Sequence, residues 1–264
     1  MDDQRGRSGD LYYQERPSPE QKKEGIGDLY HHETRYRRAA MPQGGLNWAH
    51  QPLPYKEFLY PLKRFSLKPP DREKGEPLWQ TIARRRSFRD FSRLPLTLSE
   101  LSQLIWATQG ITLEEWGFDF RACPSAGALY PIETYVVVNH VEEIPAGLFH
   151  YDVKNGELLF LKEGNLGADL SHAALDQGML ETAACVFVWT AIAERAKWKY
   201  RERAYRYIYV DAGHIAQNLY LAATALNLGC CTVGAFFDDE IDRLIGIDGK
   251  KEISIYLGAV GRIG

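Results

Sequence analysis

The sequence predicts an α+β protein, because strand and helix patterns mix without the strict alternation of a parallel βαβ fold. Residues 132–139 (IETYVVVN) are β-branched and aromatic, which is typical of a buried strand. The dipeptide Asn-Gly at 155–156 separates apolar runs at 149–153 and 157–161, and it predicts a β-hairpin. Residues 205–228 combine apolar residues with alanine and glycine, and they predict one long, closely packed helix.

The other elements follow from local signals along the chain. Thr97 and Glu100 have the spacing of a capping box, ahead of apolar residues at helical period. The tripeptide Asn-Leu-Gly at 227–229 predicts the end of the long helix. Residues 183–193 fit a strand or a buried helix, and their valine, phenylalanine and tryptophan favour the strand. The remaining predicted elements are a short helix from Leu78 into the arginines that follow, strands at 230–235 and 253–260, and a helix at 238–245.

Composition excludes several classes of protein. The 264 residues contain 32 Lys and Arg against 35 Asp and Glu, a formal net charge of −3, which argues against a nucleic-acid partner. No apolar run reaches the about 18–20 residues that span a membrane, and the first ten residues lack the apolar region of a signal peptide. Four cysteines, two of them adjacent at 230 and 231, fit a reducing compartment. A cytoplasmic protein without a membrane or nucleic-acid partner is therefore expected.

The chain is predicted to divide into an arm and one domain. Residues 1–40 are too polar to form a core of their own, and residues 41–77 intersperse prolines with aromatic residues. We therefore expect 1–77 to be an extended arm, partly disordered at its start, whose aromatic side chains pack on other parts of the protein. Residues 78–264 are expected to form the domain.

One segment stands out once the common motifs have been searched. GxGxxG after a strand, the phosphate-binding GxxxxGK[ST], HExxH and GxSxG are all absent, and the cysteines and histidines lack zinc spacing, so no metal site is expected. What remains is the arginine-rich segment 84–93 (RRRSFRDFSR). Guanidinium groups bind phosphate through paired hydrogen bonds, and Ser87 adds a hydroxyl donor. The residues alone fit a phosphate-type anion site and a solvated basic face equally well.

Five segments, in order along the chain, resemble the FMN-dependent nitroreductase superfamily, and within it the SagB/ThcOx-type dehydrogenases more closely. They are RRSFRDF (85–91), CPSAGALYP (123–131), WKY (198–200), the helix segment 203–219 and GCCTVGAF (229–236). The resemblance implies a nitroreductase-like fold, with a mainly antiparallel central sheet flanked by helices. It also implies an intertwined homodimer that binds FMN at the interface between the subunits.

The resemblance assigns the cofactor contacts. Arg85, Arg86, Ser87 and Arg89 match the positions that hold the phosphate, ribityl chain and pyrimidine edge of FMN, and Arg262 matches an arginine that closes on the phosphate. A second group matches the loop that approaches the flavin ring from the partner subunit: Pro124, Ser125, Ala126 and Gly127. A third group matches a stretch whose backbone amides face flavin N5: Gly234 and Ala235. Each assignment has a structural alternative. The loop 124–127 could be an ordinary turn, residues 234–235 could be a tight strand end, and Arg262 could be a solvated arginine near the terminus.

The resemblance implies a catalytic role for Lys199 and Tyr200. In azoline-oxidising members, a Lys-Tyr pair at this place is implicated in removing a proton while hydride passes to flavin N5, and such a dehydrogenation requires a base. The alternative is a basic amphipathic helix, and Arg201 stands where relatives often carry glycine. For three polar residues of the long helix we favour a structural role over a flavin contact: His214, Gln217 and Asn218.

Three functions remain open at this point. The first is an FMN-dependent dehydrogenase of the SagB/ThcOx type that oxidises an azoline-like ring in a peptide, or a similar small substrate. The second is a nitroreductase or quinone reductase that uses NAD(P)H as electron donor. The third is a non-catalytic flavin-binding or scaffold subunit of a peptide-modifying complex.

Overall fold

A computed structural model of the chain describes residues 24–41 and 45–264. The chain divides into two units, 1–43 and 44–264. Within the first unit, helix α1 (Ile26–Glu33) is capped by Thr34, whose hydroxyl donates to the carbonyl of Tyr30 at 2.7 Å. The disorder predicted for the start of the arm falls on residues 1–23, outside the described part, and the boundary predicted at 77/78 stays a prediction.

The second unit contains a large sheet, a separate hairpin and flanking helices. The strands are β1 Lys63–Ser66, β2 Phe91–Ser92, β3 Ile111–Glu115, β4 Phe118–Arg121, β5 Ile132–Val138, β6 Gly147–Asp152, β7 Glu157–Glu163, β8 Cys185–Ala191, β9 Leu228–Val233 and β10 Ile253–Ile263. The helices are α2 Leu78–Arg84, α3 Leu98–Gln109, α4 Gly167–Ala173, α5 Met179–Thr182, α6 Ala193–Tyr200, α7 Ala204–Ala225 and α8 Asp238–Ile245.

The central sheet has eight strands, and all its pairings are antiparallel. The strand order is β1-β7-β6-β5-β8-β10-β2, with β9 also pairing with β10, while β3 and β4 form a two-stranded hairpin of their own. The predicted antiparallel α+β architecture is thereby confirmed. None of the helices in the described ranges combines the length and hydropathy needed to cross a bilayer.

The core lies on both faces of this sheet. Along β8, Cys185, Phe187 and Trp189 face the cluster formed with α3 and α7, whereas Val186 and Val188 face the cluster formed with α4 and α8. This two-residue alternation is that of a strand buried on both faces. It explains why the strand reads as a continuous apolar run.

Most predicted elements are confirmed, including strands β5 and β8, the β6–β7 hairpin and helix α8. The capping box of α3 forms as expected: the amide of Glu100 donates to Thr97 Oγ1 at 3.2 Å, and the amide of Thr97 donates to Glu100 Oε2 at 2.9 Å. Strand β1, the β3–β4 hairpin and helices α4 and α5 were not predicted. Strand β1 pairs with β7 although its residues lie in the predicted arm.

The predicted end of the long helix was wrong by a few residues. Helix α7 ends at Ala225, Asn227 takes the left-handed conformation with φ +57°, and Leu228 already belongs to β9. Gly229 is required for packing and not for a cap, because a Cβ there would lie 2.7 Å from the ring of Phe88. The chain therefore turns at Asn227, and β9 begins at Leu228, where it pairs with β10.

Arg201 has a backbone conformation that favours glycine, with φ +51° and ψ −137° directly after α6. An L side chain in this region stores strain of about 1–3 kcal/mol, while glycine costs about 0.5–1 kcal/mol in unfolded-state entropy. We expect Arg201→Gly to raise the free energy of unfolding by about 1 kcal/mol, measured by urea denaturation. The control is Arg203→Gly, at a residue with φ −64°, which should be destabilising. A loss of stability in Arg201→Gly would refute the strain at this position.

Candidate functional site

The arginine-rich segment runs from the end of α2 to β2 and is anchored by its phenylalanines. Phe91 is buried, and its ring lies 6.0 Å from that of Phe88, centroid to centroid. The amide of Phe88 donates to the carbonyl of Cys230 in β9 at 2.9 Å. The segment is therefore held against the sheet while the residues between the phenylalanines remain exposed.

The arginines of this segment differ in their partners. The outer two are ion-paired with glutamates: Arg84 with Glu76, and Arg93 with Glu181 at 3.1 Å. The inner three form no ion pair with any described carboxylate: Arg85, Arg86 and Arg89. Arg86 donates only to backbone carbonyls, at 2.7 and 3.2 Å, and the Arg85 guanidinium lies 5.3 Å from the centre of the Tyr220 ring. Three cations without carboxylate partners leave this surface with unbalanced positive charge suited to an anion.

A chain of hydroxyl groups connects this segment to the end of β9. Ser87 Oγ lies 2.9 Å from Tyr220 Oη, which also accepts from the amide of Thr232 at 3.0 Å. Thr232 Oγ1 in turn lies 2.6 Å from Tyr256 Oη. The Tyr256 ring lies beside Gly234, where an added Cβ would meet it at 3.6 Å. The predicted phosphate end and the predicted N5 end of the flavin site are thus joined within one chain.

Two further predicted cofactor residues have partners inside the chain. The carbonyl of Ala235 accepts from Gln177 Nε2 at 3.0 Å. The Arg262 guanidinium donates to both carboxylate oxygens of Glu100, at 2.9 and 2.8 Å, and to the carbonyl of Pro95 at 3.3 Å. A phosphate contact of Arg262 stays a prediction, and it would have to compete with Glu100.

A second group of predicted residues, the loop 124–127, is held by a buried carboxylate. Asp211 of α7 is 3% exposed and accepts from Ser125 Oγ at 2.6 Å and from the amide of Ala126 at 3.2 Å. Ser125 Oγ also accepts from the amide of Tyr130 at 3.0 Å. Burial raises the pKa of Asp211, against the opposing effect of these hydrogen bonds. The loop conformation therefore depends on Asp211, which the sequence analysis named only as part of a longer segment.

Lys199 and Tyr200 lie against this loop. Gly127 has φ +67°, and a Cβ there would lie 2.7 Å from Tyr200 Oη and 2.9 Å from Lys199 Nζ. Burial, followed by the neighbouring Tyr207 and Asp211, raises the pKa of the Tyr200 hydroxyl, which keeps it protonated near neutral pH. The structure therefore brings the two predicted catalytic residues together with the predicted flavin loop.

The two groups are carried by different parts of α7. Asp211 holds the loop and Tyr220 holds the arginine segment, and at 1.5 Å per residue they are about 13 Å apart along the helix axis. Asn218, between them, donates to the carbonyl of Ala107 in α3 at 2.8 Å, which supports its predicted structural role. Sequence reasoning did not single out Asp211, Tyr220, Thr232 or Tyr256. The available signal for Asp211 was an acidic residue at a buried position of an otherwise apolar helix face.

The Nitroreductase family model matches residues 82–262 of this chain. The chain therefore belongs to the nitroreductase family and is a nitroreductase-family oxidoreductase, and the resemblance seen in its motifs is confirmed.

Three relatives show where the similarity extends. MJ1384 of Methanocaldococcus jannaschii, whose name places it among the nitroreductases, is 39% identical over 185 residues, 70% of this chain and 90% of its own length. The trifolitoxin-processing protein TfxB of Rhizobium leguminosarum is 36% identical over 48% of this chain and 36% of its own length. The microcin B17-processing protein McbC of Escherichia coli is 30% identical over 48% and 49%. The matches thus span half or less of the two processing proteins.

Two solved structures share the fold. A protein of Anabaena variabilis assigned to the nitroreductases superposes with a TM-score of 0.74 at 27% identity, covering 90% of this chain and 46% of that one. An NADPH:FMN oxidoreductase of Vibrio harveyi superposes with a TM-score of 0.51 at 20% identity, covering 70% and 68%. At this sequence identity, the similarity to the Vibrio harveyi structure shows a shared fold only.

Removal of the Asp211 carboxylate should loosen the loop 124–127. Asp211→Ala leaves the Ser125 hydroxyl and the Ala126 amide without their acceptor, and we expect it to lower the free energy of unfolding by about 2 kcal/mol. Asp211→Asn should recover most of this loss, because an amide oxygen can accept the same bonds. The measurements are urea denaturation and hydrogen exchange at the Ala126 amide, and unchanged exchange in Asp211→Ala would contradict the assignment.

The ionisation of Asp211 makes the stability of the protein depend on pH. The pKa of Asp211 is raised in the folded state, so its ionisation costs stability as the pH rises from about 3.9, the value of an unfolded aspartate, through the raised value. We expect the stability of the wild type, relative to Asp211→Asn, to fall across this window. A relative stability that rises with pH would show that the buried carboxylate is stabilised in its charged form.

Proposed function

We propose that this chain is an FMN-dependent dehydrogenase of the SagB/ThcOx type, acting on an azoline-like ring in a peptide or on a similar small substrate. The observation that carries the proposal is the contact of Lys199 and Tyr200 with Gly127, in the loop that the family resemblance assigns to the flavin. The names of TfxB and McbC, which refer to the processing of trifolitoxin and microcin B17, support a peptide substrate.

The residues of this chain fit FMN. Arg85, Arg86 and Arg89, which have no carboxylate partners in the described part, and the Ser87 hydroxyl suit a phosphate and its sugar chain. Gly234 and Ala235 are exposed directly after β9, and their small size lets a planar ring approach closely. Bound at this place, the flavin would supply an acceptor for the hydride that leaves the substrate. We further propose a homodimer, in which the loop 124–127 serves the flavin of the partner subunit.

Within this proposal, Lys199 and Tyr200 handle the proton. Lys199 is exposed and its Nζ lies beside the loop, where it can reach a substrate placed there and take part in the transfer of its proton. Tyr200 keeps its proton, packs against Tyr207 with 4.5 Å between ring centroids, and can orient the substrate as a hydrogen-bond donor. Asp211 acts through the loop and is a positioning residue.

A nitroreductase or quinone reductase that uses NAD(P)H is the second candidate. It is favoured by MJ1384, which matches more of this chain than the two processing proteins do. NADPH should rapidly bleach the absorbance of bound flavin if this candidate is right, and a slow reaction favours the dehydrogenase. Flavin that no donor or substrate reduces would indicate a non-catalytic subunit, and a purified protein that takes up no FMN would contradict both enzymes.

Replacement of the two proposed catalytic residues tests the mechanism. Lys199→Ala and Tyr200→Phe should each leave FMN bound, while turnover of an azoline-containing peptide falls by about 100-fold or more, the usual contribution of a positioned proton-transfer group. The matched control is Lys197→Ala on the same helix, because Lys197 is ion-paired with Glu194 at 3.0 Å. Flavin absorbance and turnover are measured on the same preparations, and unchanged turnover in Lys199→Ala would remove that residue from the mechanism.

A further inference from the structure

A cavity lies in the unit 44–264, next to the residues that follow Gly127. Its volume is about 470 Å³, and it is bounded by the segment 48–55, the tip of the β3–β4 hairpin and residues 128–130. The walls are mostly aromatic and apolar: Trp48, Leu53, Tyr55, Trp116, Phe118 and Tyr130. We call this cavity the aromatic cleft.

Two buried arginines line the aromatic cleft, Arg195 and Arg121. The first of them is hydrogen-bonded and ion-paired within the protein. Arg195 of α6 is 3% exposed, and its Nη1 donates to Glu133 Oε1 at 2.5 Å and to the carbonyl of Tyr130 at 3.2 Å. Its Nε donates to the carbonyl of Leu53 at 2.8 Å. The charge of Arg195 is therefore balanced by Glu133, and its role is to hold the walls of the cleft together.

The second arginine, Arg121, is near enough to feel the charge of Glu133 but forms no ion pair with it. It is 8% exposed, its Nη1 donates to the neutral Gln109 side chain at 2.8 Å, and it forms no ion pair with any described residue. Its Nε is buried without a hydrogen-bond partner among residues 24–41 and 45–264. The guanidinium lies over the rings of Tyr130 and Tyr55, at 4.4 and 5.7 Å from their centres. Buried cations are normally paired with an anionic group. Arg121 has no such ion-pair partner among the described residues, and an anionic ligand can supply it.

The remaining donors of Arg121 define the ligand. With Nη1 occupied by Gln109, Nε and Nη2 are left on one edge of the planar group, and such an edge binds a carboxylate through two parallel hydrogen bonds. Asp119 is the acidic residue of the lining, and its carboxylate accepts from the Tyr55 hydroxyl, whose pKa is raised chiefly by burial and then by Asp119. Arg121 is thus a cation of the cleft that forms no ion pair with a described carboxylate.

The mouth of the cleft exposes two large aromatic side chains. Trp48 is 64% exposed and Trp116 is 82% exposed. Trp116 lies at the tip of the hairpin with φ +51°, followed by Gly117 with φ +78°. Exposed indole surface beside an apolar cavity is suited to the apolar part of a ligand.

We propose that the aromatic cleft binds an organic carboxylate, with the carboxylate on Arg121 and its apolar body between Trp48, Trp116 and Phe118. The ligand is the substrate of the enzyme proposed above, a statement that rests on that proposed function. The cleft is lined by Ala128, Leu129 and Tyr130, which directly follow Gly127 and its contacts with Lys199 and Tyr200. A substrate held by its carboxylate in the cleft would lie beside residues 128–130, which connect the cleft to the loop that contacts the two proposed catalytic residues.

The probes are N-acetyl-L-phenylalanine and its C-terminal amide, which differ only in the carboxylate. Binding to the purified protein, loaded with FMN where it takes the cofactor up, is followed by calorimetry and by tryptophan fluorescence. We expect the carboxylate to bind about ten-fold or more tightly than the amide, as expected for a charge-assisted pair of hydrogen bonds. Arg121→Gln should abolish this preference, and Arg121→Lys should reduce it, because lysine lacks the planar fork.

The control is Arg64→Gln, since Arg64 is a surface arginine ion-paired with Glu157 at 3.3 Å, and it should leave the preference unchanged. Equal affinity of the wild type for both probes, or a preference that survives in Arg121→Gln, would overturn the proposal. Should Arg121 variants fail to fold, Phe118→Ala, at a residue 48% exposed, should still weaken both probes, and unchanged binding in that variant contradicts the cleft.

The two proposals can fail separately. Equal binding of the two probes by a protein that binds FMN and turns over an azoline peptide would overturn only the proposal that the cleft binds a carboxylate. A carboxylate preference that depends on Arg121, in a protein that takes up no FMN, would overturn the proposed function and leave the cleft as a binding site.

Discussion

The burial of α7 against the central sheet is the constraint on which both halves of the candidate site depend. The helix approaches β10 so closely that a Cβ at Gly258 would lie 2.8 Å from Leu219 and 2.9 Å from the ring of Trp189. From this one helix, Asp211 holds the loop before β5 and Tyr220 holds the arginine segment. Because a packed helix is stiff, the distance between the two groups is set by its rise and not by either loop.

Buried charges on the sheet have a second, supporting role. Glu133 binds His150 Nε2 at 2.8 Å and Arg195, and although burial opposes the effect, His150 and then Arg195 lower the pKa of Glu133 to about 2. Nearby, Glu252 binds Lys56. These groups attach the segment 48–55 and the adjoining Lys56 to the sheet, and the segment 48–55 forms one wall of the aromatic cleft. Charges buried with their partners therefore position a wall around Arg121, which forms no ion pair with a described residue.

The elements that the sequence predicted are those with a strong local signal. The apolar runs of β5 and β8 and the capping box of α3 are each contained within a few residues, so they could be recognised without the fold. Strand β1 and the β3–β4 hairpin are largely polar and exposed, and they become strands through pairing with partners that no local pattern indicates. For the same reason no local pattern indicated the contact of Gly127 with Lys199 and Tyr200. The family resemblance assigned these residues to the flavin site but did not predict the contact.

Local sequence was enough to establish the α+β class, the absence of the common hydrolase and zinc motifs, and the arginine segment as a candidate anion site. Only the folded structure distinguished between residues of the same type. Arg84 is ion-paired while Arg85 is not, and Arg195 is neutralised by Glu133 while Arg121 is buried without a carboxylate. The physical reason is that burial and ion pairing depend on which distant segments meet, and electrostatic interactions act over a few ångströms in space and not along the chain.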